Sequence, residues 1–262
     1  MKAIDLDINP AFLRKQVQAY VGGGHPAGRW AAFDYCFAYF QGLRAQEGPA
    51  AIAASTNIED ACLHLYSFLA SWGMAARGSV LGRTNFTLLE PAIRVLASPA
   101  AAPVWNLDID GYFIRHPVTG NLVLSRGGHA LLCLIRRGGT LEATLSAKLK
   151  AMGITRRPTD TLVTKIVLGT TGSVPGFDSV LKKRTNGMST TKTGLRKLFD
   201  YHAQVAGTVA ILRQRTLVSP YLDSGIHHLR GGRAYRWEFR RAPLPRAERP
   251  VPTRNFSLRS VA

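Results

Sequence analysis

A chain of 262 residues with 46% hydrophobic content has the material for one large folded unit with a sizeable core, and no apolar run reaches the ~18 residues of a membrane span. Its three scattered cysteines, Cys36, Cys62 and Cys133, form neither a CxxC pair nor a four-cysteine set. That argues against structural zinc, an iron–sulfur cluster and a disulfide framework. Lys and Arg number 34 against 16 Asp and Glu, a formal net charge of +18, which is the balance of a protein that meets a polyanion, nucleic acid first among them.

The opening MKAIDLDINPAFLRKQ has no apolar h-region and no cleavage site, so a reduced, cytoplasmic protein is expected. Asn9-Pro10 starts a helix to about Tyr20, and the glycines and proline of VGGGHP break it. Over residues 30–43, Phe33, Phe37 and Phe40 recur at the helical spacing of a core-packing face, which leaves Tyr35 or Asp34 to face a cleft. Asn57 stands at a cap position with Glu59 and Asp60 just after it, predicting a helix through ACLHLYSFLASWGMAA. Beyond Arg77-Gly78-Ser79 a helix is expected over residues 85–96, with Pro91 near its start.

The pattern then changes. In YFIRHPVTGNLVLS two short β-prone runs flank Thr119-Gly120-Asn121, which predicts a small hairpin within residues 112–125. Helices resume over residues 129–136 and 141–152. A basic connector, residues 154–159 with Arg156-Arg157-Pro158, leads to a helix from Thr159 to Thr170. Ser189, Thr190 or Thr191 caps a helix to about Val205, and a last short helix is expected over residues 221–229. From Ala242 the sequence APLPRAERPVPTRNFSLRSVA reads as a flexible basic tail. The fold class is mainly α with one β-hairpin: a single domain over residues 1–241, then the tail at 242–262. No GxxxxGK[ST] and no strand-linked GxGxxG is present.

Residues 182–262 carry 17 basic against 4 acidic side chains, so this part is an expected backbone-binding region. Acidic residues are too scarce for a two-metal nuclease, and the histidines show no HExxH or His/Cys spacing, so neither metal nor cofactor is expected.

The segment TDTLVTKIVLGTTGSVPGFDSVLKK poses the main question: a surface lysine and an ordinary helix cap, or an amine and a carboxylate that face one site. Lys165 sits inside an apolar helical pattern, Gly169-Thr170-Thr171-Gly172 allows reversal, and Pro175 fixes the re-entry. Asp178 then falls at the next helix start, where a carboxylate is a good cap. An amine and a carboxylate can thus approach across a cleft. Helix, connector and helix give a helix–hairpin–helix outline, whose backbone amides and helix N-terminus suit a DNA phosphate. Arg156, Arg157 and Thr159 are the expected DNA contacts in the connector. Thr161, Thr164, Lys182 and Lys183 extend them.

VTKIVLGTTGSVPGFD resembles the bifunctional helix–hairpin–helix DNA glycosylases, in which a hairpin lysine precedes an apolar helix and a V-P-x-D segment. The family's L-P-G-V-G-x-K hairpin stands here as RRPTDTLVTK, and Asp178 follows Pro175 by three positions rather than two. Taken with CLHLYSFLASWGMAARGS, the chain is similar to bacterial defence-type glycosylases that remove modified bases from phage DNA. The resemblance implies a helix–hairpin–helix glycosylase-like helical fold. Asp178 would be the catalytic aspartate and Lys165 the nucleophile or an electrostatic helper. The substrate would be a base such as glucosylated hydroxymethylcytosine.

Such chemistry needs a carboxylate beside an oxocarbenium-like sugar, water or an amine as nucleophile, and a pocket for an extruded base. Trp72, Arg77, Ser79 and Tyr35 are the candidates for pocket or wedge. The expected partner is duplex DNA carrying modified bases, with no membrane and no obligate protein partner. Two other readings stay open: a non-enzymatic basic DNA-binding protein, and an RNA-binding or RNA-cleaving protein.

Overall fold

The computed structural model describes residues 29–184, 188–215, 226–229 and 236–239, and these fold mainly as helices. Helix α1 (Arg29–Glu47) turns Cys36 and Phe40 inward, and Phe33 stacks on Phe37 with ring centroids 5.7 Å apart. Helix α2 (Ile58–Ser71) buries Ala61, Cys62, Leu65, Phe68 and Leu69, the three-and-four spacing of a core-facing stripe. Helix α3 (Glu90–Leu96) follows a 3-10 turn, Phe86–Leu89.

Strands β1 (Phe113–Arg115) and β2 (Leu122–Leu124) pair antiparallel with Ile114 opposite Val123. Ser125 then caps α4 (Arg126–Ile135), accepting from Gly128 N at 2.9 Å and donating to Gly111 O at 2.6 Å. Helices α5 (Thr140–Ala151), α6 (Asp160–Thr171), α7 (Ser179–Arg184) and α8 (Lys192–Arg215) complete the helical part. Strands β3 (Ile226–Leu229) and β4 (Arg236–Phe239) form a second antiparallel pair.

Helix α6 is the centre. α1 and α2 pack on each other and both pack on α6, which is buried nearly all round, as a central rather than a surface helix is. Three of its hydroxyls are satisfied locally: those of Thr164, Thr170 and Thr171 donate four residues back, to Asp160 O, Ile166 O and Val167 O. Its C-terminal carbonyls are covered from α1, where Cys36 Sγ donates to Gly169 O at 3.3 Å and Gln41 Nε2 to Thr170 O at 2.9 Å.

Several expectations need correction. The second helix stops at Ser71 rather than running on to Ala76, because Met74 N turns back to Leu69 O. Asn57 does not cap it through its side chain; that amide donates to Ala51 O. The helix expected over residues 85–96 divides at Glu90, and Asn85 caps the 3-10 turn instead. Thr191 is the cap of α8, accepting from Gly194 N at 3.1 Å, and the helix runs ten residues past Val205.

The short helix expected over residues 221–229 is contradicted over 226–229, which form β3. Ile226, Trp237 and Phe239 favour a pleated pair, and the sequence between the strands contains Gly231-Gly232, a turn signal. The helix expected from Asn9 to Tyr20 and the tail at 242–262 lie outside the described residues.

Candidate functional site

The site is built on the reversal after α6. Gly172 ends the helix with φ +69°, a left-handed conformation that a side chain disfavours, and the chain returns along α6 through residues 173–178. Three side chains hold this loop. The Tyr112 phenol donates to Ser173 O, and burial, with Asp108 adding to it, pushes that phenol up, so it stays a donor. Thr161 Oγ1 donates to Phe177 O at 2.9 Å, and Thr164 Oγ1 accepts from Phe177 N at 2.9 Å. Phe177 is thereby locked in the core, fully buried.

Asp178 follows directly. Its Oδ1 accepts from Leu181 N at 2.9 Å, so the carboxylate caps α7 while remaining partly accessible. Lys165 lies one turn beyond Thr161 on the same side of α6 and is only 5% exposed. Its stem packs against the returning loop: a Cβ added at Gly176 would sit 2.9 Å from Lys165 Cγ. Only glycine allows that approach. At the far end Lys165 Nζ donates to Trp72 O at 3.2 Å and lies 5.3 Å from the centroid of the Trp72 ring, a cation–π contact. The structure thus brings Lys165 against the loop two residues before Asp178, with Trp72 closing the other side.

No family model, curated protein or solved structure matches this chain.

Trp72 is half-buried at the C-cap of α2, its ring against Phe68 at 5.7 Å. Ser79 is absorbed into its own loop, donating to Met74 O at 2.7 Å and accepting from Gly82 N at 2.9 Å. Arg77 is exposed in the same loop, and Tyr35 is 57% exposed on α1. Thr164 is fully buried with its hydroxyl engaged, so the surface contact expected of it has no surface to act on. Thr161 serves the loop, and Thr159 caps α6, accepting from Leu162 N at 3.2 Å. Lys182 pairs with Asp160 at 3.5 Å, and Lys183 is exposed.

Arg156 and Arg157 are exposed on the connector, residues 154–159, which has neither helix nor strand. It runs back along α5 far enough for Arg157 Nη2 to reach Glu142 Oε1 at 3.2 Å. The other Glu142 oxygen accepts from Gly138 N at 2.7 Å, beside the exposed Arg136 and Arg137. Sequence reading passed over these two arginines. The signal was the pair of Arg-Arg dipeptides on either side of α5. Among the described residues no group of three His, Cys, Asp or Glu side chains is placed to hold a metal ion, and no helix is long and apolar enough to cross a membrane.

Proposed function

We propose that this protein is a DNA glycosylase of helix–hairpin–helix type that extrudes a modified base from duplex DNA and cuts its N-glycosidic bond. One observation carries the reading: a lysine withdrawn from solvent lies against the very loop that presents Asp178. A buried amine is costly to keep unless it has work to do. Asp178 stands beside the sugar and offsets the positive charge that develops as the base leaves.

Lys165, once neutral, attacks C1′. The glycosidic electron pair departs with the base, which takes up a proton, and opening of the sugar with loss of the amine proton leaves an imine. Where water attacks instead, Lys165 acts as an electrostatic helper. The substrate proposed is a bulky modified pyrimidine such as glucosylated hydroxymethylcytosine, and the abasic sites produced are a defence against phage DNA.

The test uses duplexes carrying individual modified bases, followed by alkali cleavage and base analysis, with borohydride added in parallel. Base release should vanish in Asp178→Asn. A borohydride-trapped adduct that disappears in Lys165→Gln assigns the nucleophile; base release without any adduct assigns water. Release at the wild-type rate by both variants sinks the reading.

A second reading, a DNA-binding protein without catalysis, is favoured by the structural employment of both groups, Asp178 as a helix cap and Lys165 as a donor to Trp72 O. It predicts salt-sensitive binding with no abasic product on any duplex.

A further inference from the structure

The connector is fastened to two other loops, one of them the loop that follows Trp72. Arg156 donates to Gly78 O, which joins the connector to the loop carrying Arg77. Arg157 meets Glu142, and Glu142 holds Gly138 N, which joins the connector to the turn carrying Arg136 and Arg137. Glu142 is only 6% exposed, so its carboxylate is a fixed post. All five arginines are exposed. Against that single carboxylate they leave an excess of four positive charges on the loops these contacts tie together.

We propose that Arg77, Arg156, Arg157, Arg137 and Arg136 form one track for the phosphodiester backbone of duplex DNA, with Arg136 and Arg137 as its outer contacts. Guanidinium forks suit phosphate oxygens bidentately. Each arginine keeps several N–H donors besides those used in the internal ties. A basic composition alone scatters charge over a surface; here three specific contacts gather it. The track begins in the loop that follows Trp72, the residue holding Lys165, so a strand laid along it is delivered to the lysine. The inference rests on the duplex-DNA partner of the proposed glycosylase and not on its chemistry.

Equilibrium binding of an unmodified duplex, read by fluorescence anisotropy across a salt series, tests it. Each phosphate contact removed lowers the slope of log K against log salt by about 0.9. Arg136→Gln/Arg137→Gln should therefore flatten the slope by about two and weaken low-salt binding about tenfold. Arg94→Gln, on an exposed arginine of α3 paired with Glu90 at 2.9 Å, is the control and should leave both unchanged.

A double variant with the wild-type slope overturns the track. So does an equal flattening by Arg94→Gln, and so does tighter binding of single-stranded RNA than of duplex. Base release is measured separately, on the wild-type protein at saturating DNA. A wild-type protein with the full slope that never releases a base would break the catalytic reading while the track stands.

Discussion

Helix α6 and the connector that leads into it are adjacent in the chain and treat positive charge in opposite ways. In α6, Lys165 is withdrawn from solvent and surrounded by named partners: the Trp72 carbonyl, the Trp72 ring and the Gly176 backbone. In the connector, Arg156 and Arg157 stay in water and use their internal ties only to fix where two loops lie. The difference teaches where each cation acts. A buried ammonium is set by a few contacts and is sensitive to single atoms. A solvated arginine strip acts through its summed field.

The sharpest way to break this contrast is at Lys165. Lys165→Ala should destabilise the fold by about 2–4 kcal/mol in urea titrations, through the cavity left by the stem. Lys165→Met keeps the volume and should stay within about 1 kcal/mol of wild type, because apolar replacement of a buried charge is often neutral. If methionine costs as much as alanine, the ammonium and its contacts to Trp72 are themselves a structural support.

A smaller effect is expected at Thr164, which holds the loop without carrying charge. Thr164→Val strands the buried Phe177 N–H and should cost about 1–3 kcal/mol, whereas Thr164→Ser should recover most of it. Equal denaturation midpoints for the two variants would show that Phe177 N finds another acceptor. The smallest effect belongs to the strip. Arg137→Gln should change stability by less than about 0.5 kcal/mol, and a larger drop in the thermal midpoint would mean that the strip supports the fold.

What could be read in the sequence was what short-range rules decide. Thr159 as a helix start, Asp178 as a cap, the glycine reversal between them and the β1–β2 turn all depend on neighbours within a few residues, and all stand in the structure. The helix ends after Ser71 and at Glu90 were missed, because a turn-back bond and a switch to 3-10 geometry leave little trace in hydrophobic periodicity. Beyond reach were the contacts that exist only once helices dock: Trp72 on Lys165, Glu142 between Arg157 and Gly138, and Tyr112 on Ser173. Thr164 shows the same limit from the other side. It was expected as a DNA contact, and its packing beneath Phe177 N turns it in.

The grip of Tyr112 on Ser173 O has a consequence for portability. As written, residues 159–183 look like a cassette that carries its own amine, reversal and carboxylate. In the molecule the loop stands on three legs, and one of them is rooted sixty-one positions upstream, next to β1. A graft of α6, loop and α7 into another helical scaffold would leave that leg behind, together with the α1 side chains that cover the Gly169 and Thr170 carbonyls. A transplant that also brings Tyr112 and the β1–β2 hairpin is the smallest piece that takes all three legs of the loop with it.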